Sequence, residues 1–165
     1  QLLVADIDPG RADAFAASLD ESARVTVVAP GAVLFAEVDV VSPNACGALL
    51  GAEEIERLQC RVFMGAANNQ LRAVSQAEEL ALAEALAERG VLYQADWMHN
   101  AAGVIAGHEE WVHQEQADRE RVAAQVANVC RDGVRQNLAD ARRHGITPTA
   151  MAYRRIEAQI YRSAD

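Results

Sequence analysis

Two amide-rich stretches carry the side chains best suited to bind a polar ligand. One comprises residues 65–70, with Asn68 at its centre, and the other comprises residues 96–103, which contain Asn100. Side-chain amides donate and accept hydrogen bonds without charge, which suits a carboxamide or an amino-acid head group. Either stretch alone could be an Asn-rich turn. Because each follows an apolar run, and open α/β sheets bind ligands beyond the carboxyl ends of their strands, we expect both amides at one cleft.

A carboxylate, Asp6, lies near the end of the first apolar run, residues 2–7. In dinucleotide-binding folds an acidic residue at the tip of the second strand accepts hydrogen bonds from the ribose hydroxyls. This carboxylate would also repel a 2′-phosphate, which favours NAD over NADP, although Arg11 leaves NADP open. The alternative for Asp6 is a surface residue that caps a helix, the role expected for Asp8.

The glycine-rich turn that should precede such a strand is absent: no Gly-x-Gly-x-x-Gly occurs in the 165 residues. That turn follows the central first strand and helps to hold the pyrophosphate. If Asp6 ends the second strand, the first strand, the turn and the first helix lie upstream of Gln1. Loss of the central strand would leave buried backbone groups unpaired, at about 1–3 kcal/mol each. We therefore expect the isolated chain to be unstable, rearranged or completed by another segment.

Five short apolar or β-branched runs alternate with helical patterns in the first two thirds of the chain. The predicted strands are residues 2–7, 25–28, 38–41, 61–64 and 91–93, and the predicted helices are residues 8–20, 52–58 and 76–89. Apolar strands separated by helices indicate a parallel sheet that is buried on both faces. We predict an α/β fold with a Rossmann-like, mostly parallel sheet that lacks its first strand and glycine loop. This partial dinucleotide-binding core would span residues 1–106.

The remaining residues, 107–165, predict a C-terminal helical tail that packs on the core. Residues 109–144 indicate one long charged helix, or two helices broken near Asp132-Gly133, ended by Gly145. Thr147-Pro148 begins a last helix that should reach about Arg162. The apolar face within residues 122–134 could pack on the sheet or form an oligomer interface.

Composition narrows the classes of function. The chain has 24 acidic and 15 basic residues, a net charge of −9, which argues against a nucleic-acid ligand. Neither an apolar run long enough to cross a membrane nor the pattern of a signal peptide is present. The 3 cysteines are widely spaced, which favours reduced thiols in the cytoplasm. All 15 basic residues are arginine, so these residues supply no lysine base.

One apparent metal motif fails on its spacing. His108 and His113 flank an acidic pair, but a zinc-protease helix needs its histidines four residues apart on one face. Five residues place them about 140° apart around a helix. They are interpreted as surface residues.

Taken together, the segments resemble the NAD-binding domain of the glutamate/leucine/phenylalanine/valine dehydrogenase family, most of all the leucine, phenylalanine and valine enzymes. The matching segments are residues 4–8, 39–47, 65–71, 90–105 and 145–160. The resemblance implies reversible NAD-dependent oxidative deamination of a branched-chain or aromatic L-amino acid to the 2-oxo acid and ammonium. It also implies a separate N-terminal catalytic domain that supplies two lysines and an aspartate, and a cytoplasmic homo-oligomer.

The resemblance also assigns site residues. The implied cofactor-binding positions are Asp6, Ile7, Pro43, Ala45, Ala67, Asn68 and Asn100. The implied substrate-binding positions are Asn100 and Met151. Catalytic residues are expected in the other domain, and no metal ligand is expected.

Three positions depart from the family pattern. Asn44 replaces the usual Cys, His99 replaces an apolar residue, and Ala102 replaces a Gly where the backbone approaches the ligand. These departures leave the amino acid open. They also leave open an alternative function, a non-catalytic nucleotide-binding or regulatory module that has kept the fold and lost the chemistry.

Overall fold

The structure, a computed structural model, describes residues 1–20 and 23–160. All five predicted strands are present, each shorter than its apolar run. They are β1 (Leu2–Val4), β2 (Val25–Val27), β3 (Val40–Val41), β4 (Val62–Phe63) and β5 (Leu92–Tyr93).

The strands form two parallel sheets. In the first sheet β1 pairs with β2, with Leu2 opposite Val25. In the second sheet, of order β3-β4-β5, Phe63 pairs with both Val41 and Tyr93. The division between β1 and β3 falls where a 3-2-1-4-5-6 strand order places its first strand. The predicted α/β, mostly parallel architecture is therefore confirmed.

The hydrophobic core lies around the second sheet. It comprises Val41, Leu50, Ile55, Leu58, Cys60, Phe63, Leu71, Ala83, Leu86, Val91 and Tyr93. Among the described residues before β3, Ala12 is the only buried hydrophobic residue. The first sheet is therefore thinly packed, whereas β3, β4 and β5 have the support that a precise site requires.

Four helices accompany the strands. They are α1 (Pro9–Ala17), α2 (Pro30–Val33), α3 (Ala52–Arg57) and α4 (Gln76–Glu88). Asp8 caps α1 as expected, because its side chain accepts a hydrogen bond from the Gly10 amide at 2.9 Å. The single turn of α2 was not predicted, because Pro30-Gly31 favours a turn at the end of a strand.

The helical tail differs from the prediction in where its helices begin and end. It contains α5 (Ala102–His113), α6 (Arg119–Val126), a π-helical segment (Ala127–Gly133), α7 (Val134–His144) and α8 (Pro148–Ile160). The predicted start at residue 109 is wrong, because α5 begins at Ala102 and runs through positions 106 and 107. The predicted break near Asp132-Gly133 is also wrong, since Gly133 keeps helical angles (φ −60°, ψ −43°) and continues into α7.

The actual break lies at Gln114, which has a positive φ of 51°. It is held by Glu109, whose side chain is 3 % exposed. One of its carboxylate oxygens accepts hydrogen bonds from the Asp118 amide at 3.0 Å and from the Arg121 guanidinium at 2.6 and 2.9 Å. Tertiary hydrogen bonds, rather than a Gly or Pro, therefore make this turn.

The last two helices are anchored to the end of β5. Gly145 ends α7 with a left-handed φ of 65°, as expected. Asn137 on α7 is fully buried and donates to Gln94 Oε1 at 3.0 Å and to the Pro148 carbonyl at 2.8 Å. The predicted end of the last helix at Arg162 lies outside the described residues.

Within the part of the chain that the structure describes, no helix is long and apolar enough to cross a membrane.

We predict that Glu109→Gln lowers the Tm at neutral pH, because the Arg121 guanidinium loses the nearer of its two charged partners, Glu109 at 2.6 Å, and keeps only Asp118 at 3.7 Å. Hydrogen bonds from Arg121 lower the pKa of Glu109. A carboxyl whose folded-state pKa is lowered stabilises the fold above its unfolded pKa, and this contribution is lost as the pH falls through the folded value. The Tm difference between wild type and variant should therefore shrink between about pH 7 and about pH 3.5 in thermal melts followed by circular dichroism.

Glu110→Gln is the matched control, since Glu110 is the exposed neighbour on the same helix. Its Tm should stay close to that of the wild type. An equal Tm deficit of Glu109→Gln at both pH values would contradict the assigned role of the charge.

Candidate functional site

The loops that follow β3, β4 and β5 meet at the carboxyl edge of the second sheet. We call them the β3 loop (residues 42–48), the β4 loop (residues 64–70) and the β5 loop (residues 94–101). A Cβ atom at Gly65 would overlap the backbone and ring of Pro43. The Ala67 amide donates to the Pro43 carbonyl, and the Ala66 amide donates to Asn44 Oδ1, each at 3.0 Å. Backbone contact at a glycine therefore locks the β3 loop to the β4 loop.

A second close approach lies further along the same two loops. A Cβ atom at Gly47 would overlap the Asn68 carbonyl oxygen. Ala48 and Asn69 both have left-handed backbones, with φ values of 54° and 51°, and the Ala48 amide donates to the Asn69 carbonyl at 2.7 Å. A positive φ is uncommon for residues other than glycine, and Asn tolerates it better than Ala does. Both loops are therefore held in an uncommon backbone conformation around Asn68.

Asp96 joins the β4 loop to the β5 loop. Asp96 is only 4 % exposed. Its Oδ2 atom accepts hydrogen bonds from the Asn69 amide at 3.1 Å and from Asn100 Nδ2 at 3.2 Å. Asn100 Nδ2 also donates to Asn68 Oδ1 at 2.5 Å. The two predicted amides therefore lie in direct contact, and a buried carboxylate positions them.

The Gly65 carbonyl oxygen is a second junction between these loops. It accepts hydrogen bonds from Gln70 Nε2 at 2.6 Å and faces His99 Nε2 at 2.9 Å. With Nε2 donating, His99 Nδ1 is the acceptor, and this buried atom has no partner within the described residues. The imidazole at this position thus adds a link between the β4 and β5 loops that an apolar side chain cannot make.

The N-terminus of α5 opens directly beside Asn100. No side chain caps this end of the helix, and Ala102 and Gly103 are both exposed. A Cβ atom at Gly103 would meet nothing within 4 Å. Unpaired backbone amides at a helix N-terminus favour electron-rich ligand atoms, so this end of α5 offers both space and hydrogen-bond donors.

Asp6 lies beyond the carboxyl end of β1 in the first sheet. Its Oδ1 accepts a hydrogen bond from the Asp8 amide at 2.8 Å, and its Oδ2 has no hydrogen bond to any described residue. Ile7 is 93 % exposed. The carboxylate is thus fixed in orientation and has one oxygen available to a ligand.

The other predicted positions are distributed over two regions. Pro43, Ala45 and Ala67 lie in the β3 and β4 loops, where Ala45 is exposed and Ala67 is buried. Met151 is buried on α8. The ligand contacts of all these residues stay predictions.

Sequence reasoning missed Asp96, Gly47, Gly65 and Gln70 as the residues that hold the loops together. A glycine directly after a buried strand, as at Gly65, is the signal that could have indicated a close backbone approach.

His108 and His113 lie on α5, where His113 Nε2 is 3.6 Å from Glu109 Oε2. Over residues 1–20 and 23–160, no group of three His, Cys, Asp or Glu side chains could hold a metal ion.

Comparisons with known proteins agree with this architecture. The L-tryptophan dehydrogenase of Nostoc punctiforme is 32% identical over 163 residues, and the leucine dehydrogenase of Thermoactinomyces intermedius is 32% identical over 160 residues. These matches cover 99% and 97% of this chain but 42% and 40% of the relatives, so the chain spans about two fifths of their length. The crystal structure of the Nostoc enzyme superposes with a TM-score of 0.84 over 99% of this chain and 46% of that chain.

A family profile gives the same result over most of the sequence. The profile that describes glutamate/leucine/phenylalanine/valine dehydrogenases matches residues 8–162. The chain belongs to the glutamate/leucine/phenylalanine/valine dehydrogenase family.

Proposed function

We propose that this chain is the NAD-binding part of an amino-acid dehydrogenase that reversibly deaminates a branched-chain or aromatic L-amino acid to its 2-oxo acid and ammonium. The observation that carries the proposal is the contact between Asn100 and Asn68, held by the buried Asp96 at adjacent strand ends. The relatives named as tryptophan and leucine dehydrogenases support the class of substrate.

The residues at the carboxyl edges of the first and second sheets fit a dinucleotide. The free oxygen of Asp6 suits a ribose hydroxyl, and Ile7 is exposed beside it. The open space at Gly103 and the uncapped start of α5 leave room for the nicotinamide end near Pro43, Ala45, Ala67 and Asn68. When bound, NAD supplies the hydride acceptor of the reaction.

The hydrogen bonds of Asn100 specify what its free atom can do. Both hydrogens of Nδ2 are used, one by Asn68 and one by Asp96. Oδ1 therefore remains as an acceptor that faces a donor on the ligand, such as a substrate ammonium group or the N–H of a carboxamide. A fixed amide orients its ligand without adding a charge that would repel or trap it. We place Met151 at the side-chain end of the substrate pocket.

The rest of the protein completes the site in this proposal. A separate catalytic domain supplies two lysines and an aspartate, a further segment of the dinucleotide-binding domain supplies the central strand and the glycine turn, and the cleft between the two domains closes over the substrate. In this proposal β1–β5 with α1–α4 form the dinucleotide-binding core, and the helices from α5 onward pack on it and towards the catalytic domain. We propose a cytoplasmic homo-oligomer.

Assay of the intact protein tests this function. NADH formation is followed by its absorbance with L-leucine, L-valine, L-phenylalanine and L-tryptophan, and NAD affinity is measured separately by calorimetry. Turnover of one of these amino acids supports the dehydrogenase. Tight NAD binding without turnover of any of them would favour the non-catalytic nucleotide-binding module instead.

We predict that Asp6→Asn weakens NAD binding about tenfold or more, because a hydrogen bond to a charged acceptor contributes about 1.5–3 kcal/mol. The preference for NAD over NADP should also fall, since the repulsion of a 2′-phosphate is removed. The Oδ1 contact to the Asp8 amide is preserved in this variant.

Asp13→Asn is the matched control, because Asp13 is an exposed carboxylate on α1 and its replacement changes the net charge equally. Its NAD affinity should equal that of the wild type. Equal NAD affinities for Asp6→Asn and wild type would show that the ribose lies elsewhere.

We predict that Gly103→Ala separates stability from cofactor binding. A Cβ atom at Gly103 meets open space, and Ala is favoured over Gly within a helix by about 0.5–1 kcal/mol. The Tm should therefore hold or rise, whereas the methyl group occupies the space proposed for the ligand and weakens NAD binding.

Gly107→Ala on the same helix also places its Cβ in open space. It should match Gly103→Ala in Tm and leave NAD affinity unchanged. Unchanged NAD affinity in both variants would remove the N-terminus of α5 from the cofactor site.

A further inference from the structure

A small cavity, lined by both polar and apolar side chains, lies against Asp96. Its volume is about 50 Å³, larger than the ~10–15 Å³ that one water-sized occupant needs. Its polar lining comes from Asn69, Glu79, Tyr93 and Asp96, and the indole of Trp97 forms part of its wall. The cavity is thus large enough for a water-sized ion and too small for a nucleotide or an amino acid.

The charges around this cavity are unbalanced. Glu79 is half-buried and Asp96 is buried, and neither forms a salt bridge with any described residue. Glu79 Oε2 accepts a hydrogen bond from the Tyr153 hydroxyl at 2.5 Å. Asp96 directs both of its side-chain hydrogen bonds to Oδ2, which leaves Oδ1 without one. Buried carboxylates are normally paired with a cation.

Tyr93 provides an independent indication that the cavity holds a ligand. The residue is only 3 % exposed, and among the described residues no side chain forms a hydrogen bond with its buried hydroxyl oxygen. Burial and the nearby carboxylates of Asp96 and Glu79 raise its pKa. The hydroxyl is therefore neutral and close to both charges, and its oxygen can coordinate a cation. A buried hydroxyl without a partner costs free energy, so an occupant that contacts it is favoured.

We infer that this cavity binds a monovalent cation of the size of potassium or ammonium, coordinated by Glu79, Asp96 and the Tyr93 hydroxyl. These ligands are all oxygen atoms, and no third acidic, His or Cys ligand joins them within the described chain, which leaves fewer protein ligands than a dedicated calcium site has. Trp97 and Tyr153 meet edge to face beside the site, with ring centroids 5.5 Å apart.

The cation site would be coupled to the amide pair through Asp96. Oδ2 of this carboxylate holds Asn69 and Asn100, while Oδ1 remains for the cavity. A cation there would fix the carboxylate without competing for the hydrogen bonds to Asn100. This inference goes beyond the proposed function and does not require it, because the cation is bound by groups within this chain.

Thermal unfolding of the intact protein without NAD tests the inference. Tetramethylammonium chloride is replaced stepwise by potassium chloride or ammonium chloride at constant ionic strength. A ligand that binds only the folded state raises stability by RT ln(1 + [L]/Kd), so the Tm should rise along a saturation curve with at least one of the two small ions. A response to potassium alone indicates oxygen coordination, and a response to ammonium alone indicates hydrogen bonding. Identical melting curves in all three salts would show that water fills the cavity and would overturn the inference.

Two variants and a control connect the response to the cavity. Glu79→Gln keeps the shape of the side chain and should weaken the apparent cation affinity at least tenfold. Tyr93→Phe removes only the hydroxyl oxygen, should also weaken the affinity, and serves if Glu79→Gln does not fold. Glu84→Gln changes an exposed carboxylate on the same helix and should keep the full response. Equal loss in Glu84→Gln and Glu79→Gln, or no loss in both cavity variants, would assign the effect to general surface charge. Because NAD is absent, failure here leaves the proposed cofactor site untouched.

Discussion

The candidate site depends on one buried carboxylate. Asp96 follows β5 in the β5 loop and is shielded from bulk solvent, so neighbouring groups must satisfy its charge. It accepts them from the β4 loop at Asn69 and from Asn100. Asn100 in turn contacts Asn68. The relative positions of the two amides are therefore set by the need to solvate a single buried charge.

Close backbone packing fixes the position of the β3 loop against the β4 loop. Gly65 and Gly47 allow two chain segments to touch where any side chain would overlap the opposite backbone. The Asn69 backbone is left-handed at this point, and its amide donates to Asp96. Local strain at the loops is thus tolerated because several hydrogen bonds determine the same conformation.

The division of the sheet explains how packing is distributed in the chain. The core lies around β3, β4 and β5, whereas within residues 1–20 and 23–160 β1 and β2 pair only with each other. Parallel strands gain most of their stability from burial on both faces, and the position between β1 and β3 is where a central strand would provide it. The region around Asp6 therefore has a thinner hydrophobic support than the region around Asn68 and Asn100.

Local sequence predicted much of this structure correctly. Apolar runs predicted all five strands, and Asp8 and Gly145 marked the ends of helices, because caps and left-handed turns depend on residues close in the chain. The positions of Asn68 and Asn100 after consecutive strands also predicted their meeting. The break at Gln114 was missed, since Glu109 makes it by reaching Asp118 and Arg121.

By itself, the sequence determined the α/β class, the order of its strands and the amides at the strand ends, because periodicity and capping are short-range properties. Only the tertiary structure decided that Asp96 orients those amides, that Gly65 lies against Pro43, and that Tyr93 and Glu79 share a cavity. These relations join residues far apart in the chain, and no local pattern encodes which buried groups will have to satisfy one another.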